Sequence, residues 1–229
     1  MKQNRLGKFS TVILILCLLL LIAGTVSLFI VTEDAIQSRI AFQMFETAVM
    51  MAIIFLPTIL DRLAHIKVPH SMEVCFVAFG FCSLIMGDVV DLYSLLPWWD
   101  ALLHAFSGVL LGIVGFSIIN MVNSVVGEKF RFPAAFVAVW VICFALAAGA
   151  LWEIAEYIVD GLFGLNSQQY LSSSGTFDNS LPLVGHEALK DTMEDLMLDL
   201  VGSVFIGILG YIEMTRGKYK KWLTTTTNY

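Results

Sequence analysis

Six predominantly apolar stretches, each about twenty residues long, divide this sequence at roughly 10–31, 40–60, 74–96, 101–123, 133–157 and 192–214. A helix rises about 1.5 Å per residue, so a stretch of that length crosses a hydrocarbon layer roughly 30 Å thick. Inside that layer each backbone N–H and C=O must find its partner in the protein, and a helix supplies those partners within one segment. The chain therefore reads as all-α: a polytopic integral membrane protein, a bundle of about six transmembrane helices forming one domain over 1–229. Composition agrees. With 58% hydrophobic and only 14% charged residues, against about 25% charged in soluble domains, too little polar surface remains for a soluble enzyme or a nucleic-acid binder.

The first stretch follows Lys2, Arg5 and Lys8, as a secretory signal would, but its apolar run exceeds the roughly 7–15 residues of a signal core and reads as a retained helix. Connections are short except for 158–191, an external loop rich in Ser, Gly and Asn that is a candidate for an ordered cap or a lid. Cys17, Cys75, Cys82 and Cys143 all fall inside apolar stretches without zinc or redox spacing, where they act as small hydrophobes. The threonine run 224–227 reads as a frayed tail.

Six crossings sort the charges. Lys2, Arg5, Lys8, Arg62, Lys67, Lys129, Arg131, Arg216, Lys218, Lys220 and Lys221 fall on one side, and only Arg39 and Lys190 on the other. Lys and Arg accumulate on the cytoplasmic side of membrane proteins, which places both termini inside. The acids divide the opposite way: Asp61, Glu73, Glu128 and Glu213 are inner, and the rest of the 19 lie at or toward the outer side.

Many of those outer acids lie within or beside apolar sequence. Glu46 is early in the second stretch, and Asp88 and Asp91 close the third. Asp100 and His104 open the fourth in WWDALLHAFSG, Glu153 and Glu156 close the fifth in GALWEIAEY, and Asp191, Asp195 and Asp199 open the sixth in KDTMEDLMLDLVG. Because successive helices alternate direction, all of these share one depth. Their three- and four-residue spacings place each set on one helix face. An acid at the centre of a membrane helix costs about 2.5–3.5 kcal/mol on insertion scales, so such groups face the interior and find partners. Converging carboxylates also repel one another, and they must be protonated, hydrated or neutralised by cations. Several carboxylates with an imidazole match the donor sets of carboxylate-rich metal sites in helical bundles. Oxygen donors suit Mg²⁺, Mn²⁺ or Ca²⁺, and a histidine adds Zn²⁺. The expected ligands are Asp100, His104, Glu153, Glu156, Asp195 and Asp199, with Glu46, Asp88, Asp191, Lys190 and His186 around them in supporting or substrate-binding positions.

Other polar residues have plainer readings. Taken singly, Asp91, Asp100, Asp160, Asp178, Glu187 and Glu194 read as solvated groups at headgroup level, and His65 and His70 as surface residues of an inner loop. Trp98, Trp99 and Trp152 read as interfacial belt residues. Gly108 and Gly112 form a GxxxG pattern that suits close helix packing.

The ordered triple of Asp100-x-x-x-His104, a Trp152-Glu153-x-x-Glu156 helix end, and Asp195-x-x-x-Asp199-x-x-Gly202 resembles the VanZ-like membrane proteins. It is more similar to the YjdF-type inner-membrane family, in which an aspartate-to-histidine helix, a W/F-E-x-x-E helix end and a D-x-x-x-D helix recur in that order. The likeness covers roughly residues 75–212. Asp199 stands where VanZ-like proteins often carry Asn, and the arginine they place before the last acidic helix is absent, Lys190 being the nearest base. The resemblance implies a compact multi-pass helical bundle of the bacterial envelope, in the plasma or inner membrane.

Together these features lead to the expectation of a metal-dependent hydrolase or transferase. It would act at the outer leaflet on a membrane lipid or a lipid-linked small molecule, with His104 and Glu153 as the acid–base pair and Lys190 meeting a phosphate. The alternatives are a cation- or proton-coupled transporter, using the same carboxylates as its binding site, and a non-catalytic ion- or ligand-binding protein. A reporter fused after residue 125 should signal the cytoplasm, because the loop that follows carries Lys129 and Arg131; an extracytoplasmic signal there would overturn the assigned topology.

Overall fold

A computed structural model describes residues 7–126, 130–172 and 181–216. Asp178, the loop stretch 173–180, the loop residues Glu128 and Lys129, Lys2 and Arg5, and the tail from 217 onward, with its threonine run, lie outside the described residues. The elements are α1 (Lys8–Ile30), α2 (Asp34–Ala64), α3 (His70–Gly80) running on into a π-helix (Phe81–Val89), the short α4 (Leu92–Leu95), α5 (Trp99–Val125), α6 (Ala134–Phe163), a 3-10 turn (Glu187–Leu189) and α7 (Lys190–Thr215). No strand forms among the described residues beyond an isolated bridge between Leu171 and Pro182. Six helical segments are long and apolar enough to cross a membrane. The protein is all-helical and polytopic.

Several helices run past their apolar windows. The 31 residues of α2 measure roughly 45 Å, half as long again as the hydrocarbon layer. Hydropathy marks only the part of a helix that lipid must cover, whereas the backbone ladder continues until a cap ends it, and α2 runs on through Pro57. α2 closes on His65 in the left-handed conformation, and α6 closes on Gly164 at φ +67°.

Contacts divide the chain into two compact units, Met1–Pro97 and Trp98–Tyr229. In the first, α1 to α3 and the π-helix enclose a core of Ile13, Cys17, Met50, Ile54, Val77, Leu84 and Ile85. The opposite faces of α1 present Val12, Leu19, Ile22 and Phe29 outward. In water such a stripe would be an aggregation surface, and in a bilayer it is the face that meets lipid.

In the second unit α5, α6 and α7 all pack on one another around Phe116, Ile119, Val137, Val141 and Ile206. Lipid supplies no hydrophobic force between helices, so association depends on close backbone approach. The approach occurs where Gly108 of α5 meets Gly202 of α7. A β-carbon at Gly202 would lie 2.8 Å from both the Ala105 carbonyl oxygen and the Val109 nitrogen, and one at Gly108 would lie 2.8 Å from Asp199 Cα. These contacts are with backbone, which cannot turn aside. Gly202→Leu should therefore lower stability by roughly 1–3 kcal/mol or more. Gly161→Ala, where nothing stands within 4 Å of the new methyl, should be neutral or stabilising by up to about 1 kcal/mol. Thermal unfolding of both variants in detergent micelles checks the contrast.

Candidate functional site

Each helix of the second unit brings a polar stripe to the end at which α5 and α7 begin and α6 closes. On α5, Asp100, His104 and Ser107 follow at one-turn intervals. On α7, Asp191, Asp195, Asp199 and Ser203 do the same. The buried face of α6 steps by fours through Val137, Val141, Ala145 and Gly149 to Glu153. Its residues shrink toward the site and then end in an acid. The missing side chain at Gly149 leaves the space taken by the Asp199 carboxylate, since a β-carbon there would overlap Asp199 Oδ2.

His104 is the centre of the arrangement and is buried. Its Nδ1 lies 3.4 Å from Asp199 Oδ2. A carboxylate only accepts, so Nδ1–H is the donor of that contact and Nε2 is left facing the other acids. Around Nε2 stand Asp100 Oδ1 at 3.8 Å, Glu153 Oε1 at 3.8 Å and Asp195 Oδ2 at 3.9 Å. One carboxylate therefore comes from each of the three helices. Asp199, itself buried, also accepts from the Ser107 hydroxyl. Ser107 Oγ has the His104 carbonyl oxygen as its alternative acceptor at 2.9 Å.

The polar accounting is incomplete in one place. Both carboxylate oxygens of Glu153, Oδ2 of Asp195 and Oδ2 of Asp191 are buried and receive no hydrogen bond among the described residues. Glu153 and Asp195 are only 4% and 3% exposed. Beside Glu153, Gln168 Nε2 donates to the Glu153 backbone oxygen at 3.3 Å and to Thr192 Oγ1 at 3.1 Å. Native buried polar groups seldom go unpartnered without a water or an ion. Asp100, His104 and Asp195 each offer a ligand atom within 4.8 Å of the others, a separation that metal–ligand bonds of roughly 2.0–2.6 Å can span.

The remaining expected site residues take other places. Glu156 is half-buried, and its Oε1 accepts from Trp152 Nε1 at 2.7 Å, which gives Trp152 a specific partner besides its interfacial position. Lys190 points to the surface, 4.0 Å from Glu194, and His186 is exposed before the 3-10 turn. Glu46 and Asp88 belong to the first unit. Gly108 and Gly112 sit in the α5–α7 crossing.

One sequence reading is corrected outright. Asp160 is no solvated headgroup-level residue: it is 4% exposed and accepts from the backbone nitrogens of Ser167 at 2.8 Å and Gln168 at 3.0 Å. That double acceptance turns the chain back over the end of α6. The returning loop sets Gln169 at φ +47°, uncommon for a residue with a side chain, and sends its Nε2 to Asp100 Oδ2 at 3.3 Å. Asn166 closes the turn by accepting from Leu171 N at 2.9 Å. Asp100, likewise half-buried rather than solvated, is thus held from two sides.

Comparison with known proteins agrees with this architecture at the level of family. The model of a family described as predicted membrane protein (DUF2238) matches residues 9–216. The chain belongs to that family. An uncharacterized protein of Thermotoga maritima is 24% identical over 165 residues, spanning 70% of this chain and 72% of its relative. No solved structure matches. The family match covers all six membrane-length helices and both units, so the acid cluster lies inside the matched region.

Sequence reasoning missed Ser107, Asp160, Gln168, Gln169 and Thr192. Ser107 had a signal, since it continues the Asp100/His104 face by one further turn. The loop residues had none, because their placement depends on a turn closed by an acid seven residues upstream. Asp160→Ala should release that turn. Hydrogen bonds to a charged group contribute about 1.5–3 kcal/mol, so amide exchange at Ser167 and Gln168 should quicken by roughly ten- to a hundredfold, while the amides of α7 keep their rates.

Proposed function

We propose that the second unit binds a divalent cation between Asp100, His104, Glu153 and Asp195, and uses it to hydrolyse or transfer a group on an amphiphilic or lipid-linked substrate. The observation that carries the reading is the set of buried, donor-less carboxylate oxygens of Glu153 and Asp195, gathered with Asp100 within 3.9 Å of one imidazole nitrogen. Two like charges 4 Å apart repel by about 4 kcal/mol at the effective dielectric of protein sites. An imidazolium offsets one of them and cannot offset three. A divalent ion offsets two and satisfies the orphaned oxygens at once.

In this reading Asp199 is a positioning residue. A histidine that holds a metal through Nε2 commonly gives its Nδ1–H to a carboxylate, which fixes ring and tautomer, and Asp199 occupies that place with Ser107 behind it. Bound divalent metal would supply polarisation of a phosphoryl or carbonyl oxygen and a water of lowered pKa. Glu153 would also take or return the proton, through the carboxylate oxygen that the ion leaves free. The division of Lys and Arg supports an outward-facing site, and the resemblance to VanZ-like and YjdF-type proteins supports a bacterial envelope membrane. Lys190 at the rim is free to turn from Glu194 to an incoming phosphate.

Purified protein should lose one Mn²⁺ per chain on Asp195→Asn and on Glu153→Gln, each exchanging charge for almost no volume. Asp199→Asn should keep the ion with affinity weakened by roughly ten- to a hundredfold. Chelation should lower the unfolding temperature, because the ion binds the folded form. Turnover of radiolabelled native lipid extract should stop with chelator. Metal content unchanged by both ligand substitutions would overturn the reading and leave a proton-holding cluster in its place.

A further inference from the structure

The first unit contains a second pair of acids in an apolar setting. The buried stripe of α2 runs Phe42, Glu46, Thr47, Met50 and Ile54, so Glu46 occupies a core position between a phenylalanine and a methionine. It is 5% exposed, and its Oε2 is buried with no hydrogen-bond partner. Its carboxyl lies within hydrogen-bonding range of the Asp88 carboxyl. Thr47 Oγ1 gives its hydrogen to the Gln43 carbonyl oxygen at 2.7 Å, and Gln43 Nε2 donates to the Asp88 carbonyl oxygen at 3.1 Å. Gln43, one turn before Glu46, thereby pins the same face of α2 to the segment that carries Asp88.

That segment is unusual in its own right. Residues Phe81–Val89 form a π-helix of nine residues, where π-helical geometry ordinarily lasts a single turn and gathers at functional sites. It closes with Val90 N bonded to Ile85 O at 2.9 Å. Tyr93 folds back so that its hydroxyl lies 3.2 Å from Ser83 Oγ, and Arg39 pairs with Asp91 at 3.3 Å. The segment carries Asp88 on the side bonded to α2 through Gln43 and leaves it half-buried.

We infer that the first unit has its own divalent-cation site, built on the carboxylates of Glu46 and Asp88. A small divalent ion holds oxygen ligands at roughly 2.0–2.6 Å, so neighbouring carboxylates on two packed helices can share one. One divalent ion also neutralises the pair, which apolar surroundings otherwise penalise. The ligand atoms that the pair offers are carboxylate oxygens, to which water can add. Such a set takes a hard ion, Mg²⁺, Mn²⁺ or Ca²⁺, and differs from the histidine-containing cluster of the second unit. The site does not depend on the function proposed for that cluster.

Mn²⁺ is the probe, counted by the loss of free-ion electron paramagnetic resonance signal on the full chain in detergent. In the Asp195→Asn variant an ion should remain bound, and its pulsed spectrum should lack the nitrogen coupling that a histidine ligand produces. Glu46→Gln and Asp88→Asn should each remove one ion per chain and retain a nitrogen-coupled one. Asp91→Asn, which alters a half-buried acid paired with Arg39, should leave the number of bound ions unchanged. If Asp195→Asn abolishes all Mn²⁺ binding, or if folded Glu46→Gln or Asp88→Asn protein keeps the full wild-type number, the inference is overturned and the pair holds a proton instead. Retention of the nitrogen-coupled ion in Asp195→Asn would count against the second-unit site alone.

Discussion

The crossing of α5 and α7 sets everything at the acid cluster. Two glycines bring the helices together until backbone meets backbone, and only at that separation does Asp199 reach His104 and fit beneath Gly149. Any side chain at Gly202 would hold the helices apart and withdraw Asp199 from the imidazole. With lipid unable to press helices together, packing of this kind is the available source of affinity between them, so the contact that stabilises the unit is also the one that assembles its chemistry. The direction of cause runs from small residues to close approach, and from close approach to a buried imidazole ringed by acids.

Much of this was legible in the sequence because membranes impose long, uninterrupted signals. Segment length marked the six crossings, and the alternation of helix direction put Asp100, His104, Glu153, Asp195 and Asp199 at one depth. The four-residue steps on α5 and α7 marked which faces they share. What the sequence could not distinguish was ligand from support. Asp195 and Asp199 are equivalent in spacing, yet one faces Nε2 and the other Nδ1 of the same ring, a difference of a single helical turn relative to a histidine on another helix. Glu156 shares the face of Glu153 but is taken by Trp152, a partner on its own helix.

The π-helix was hidden for a different reason. FCSLIMGDV is as apolar as its neighbours, and hydropathy is blind to how many residues each turn contains. Asp160 was misread because an acid near a helix end is usually solvated. Here the loop that follows offers two backbone N–H groups in succession, and a buried carboxylate becomes the cheaper arrangement once both are bonded.

The returning loop has a mechanical consequence. It is fastened to α6 through Asp160 and the Glu153 backbone, to α7 through Thr192 and to α5 through Asp100. Three helices that lipid leaves free to tilt are thus belted at one rim. Bilayers differ in thickness, and helices answer a mismatch by changing tilt; ties shared by three helices at one rim oppose relative tilt there, next to the acid cluster.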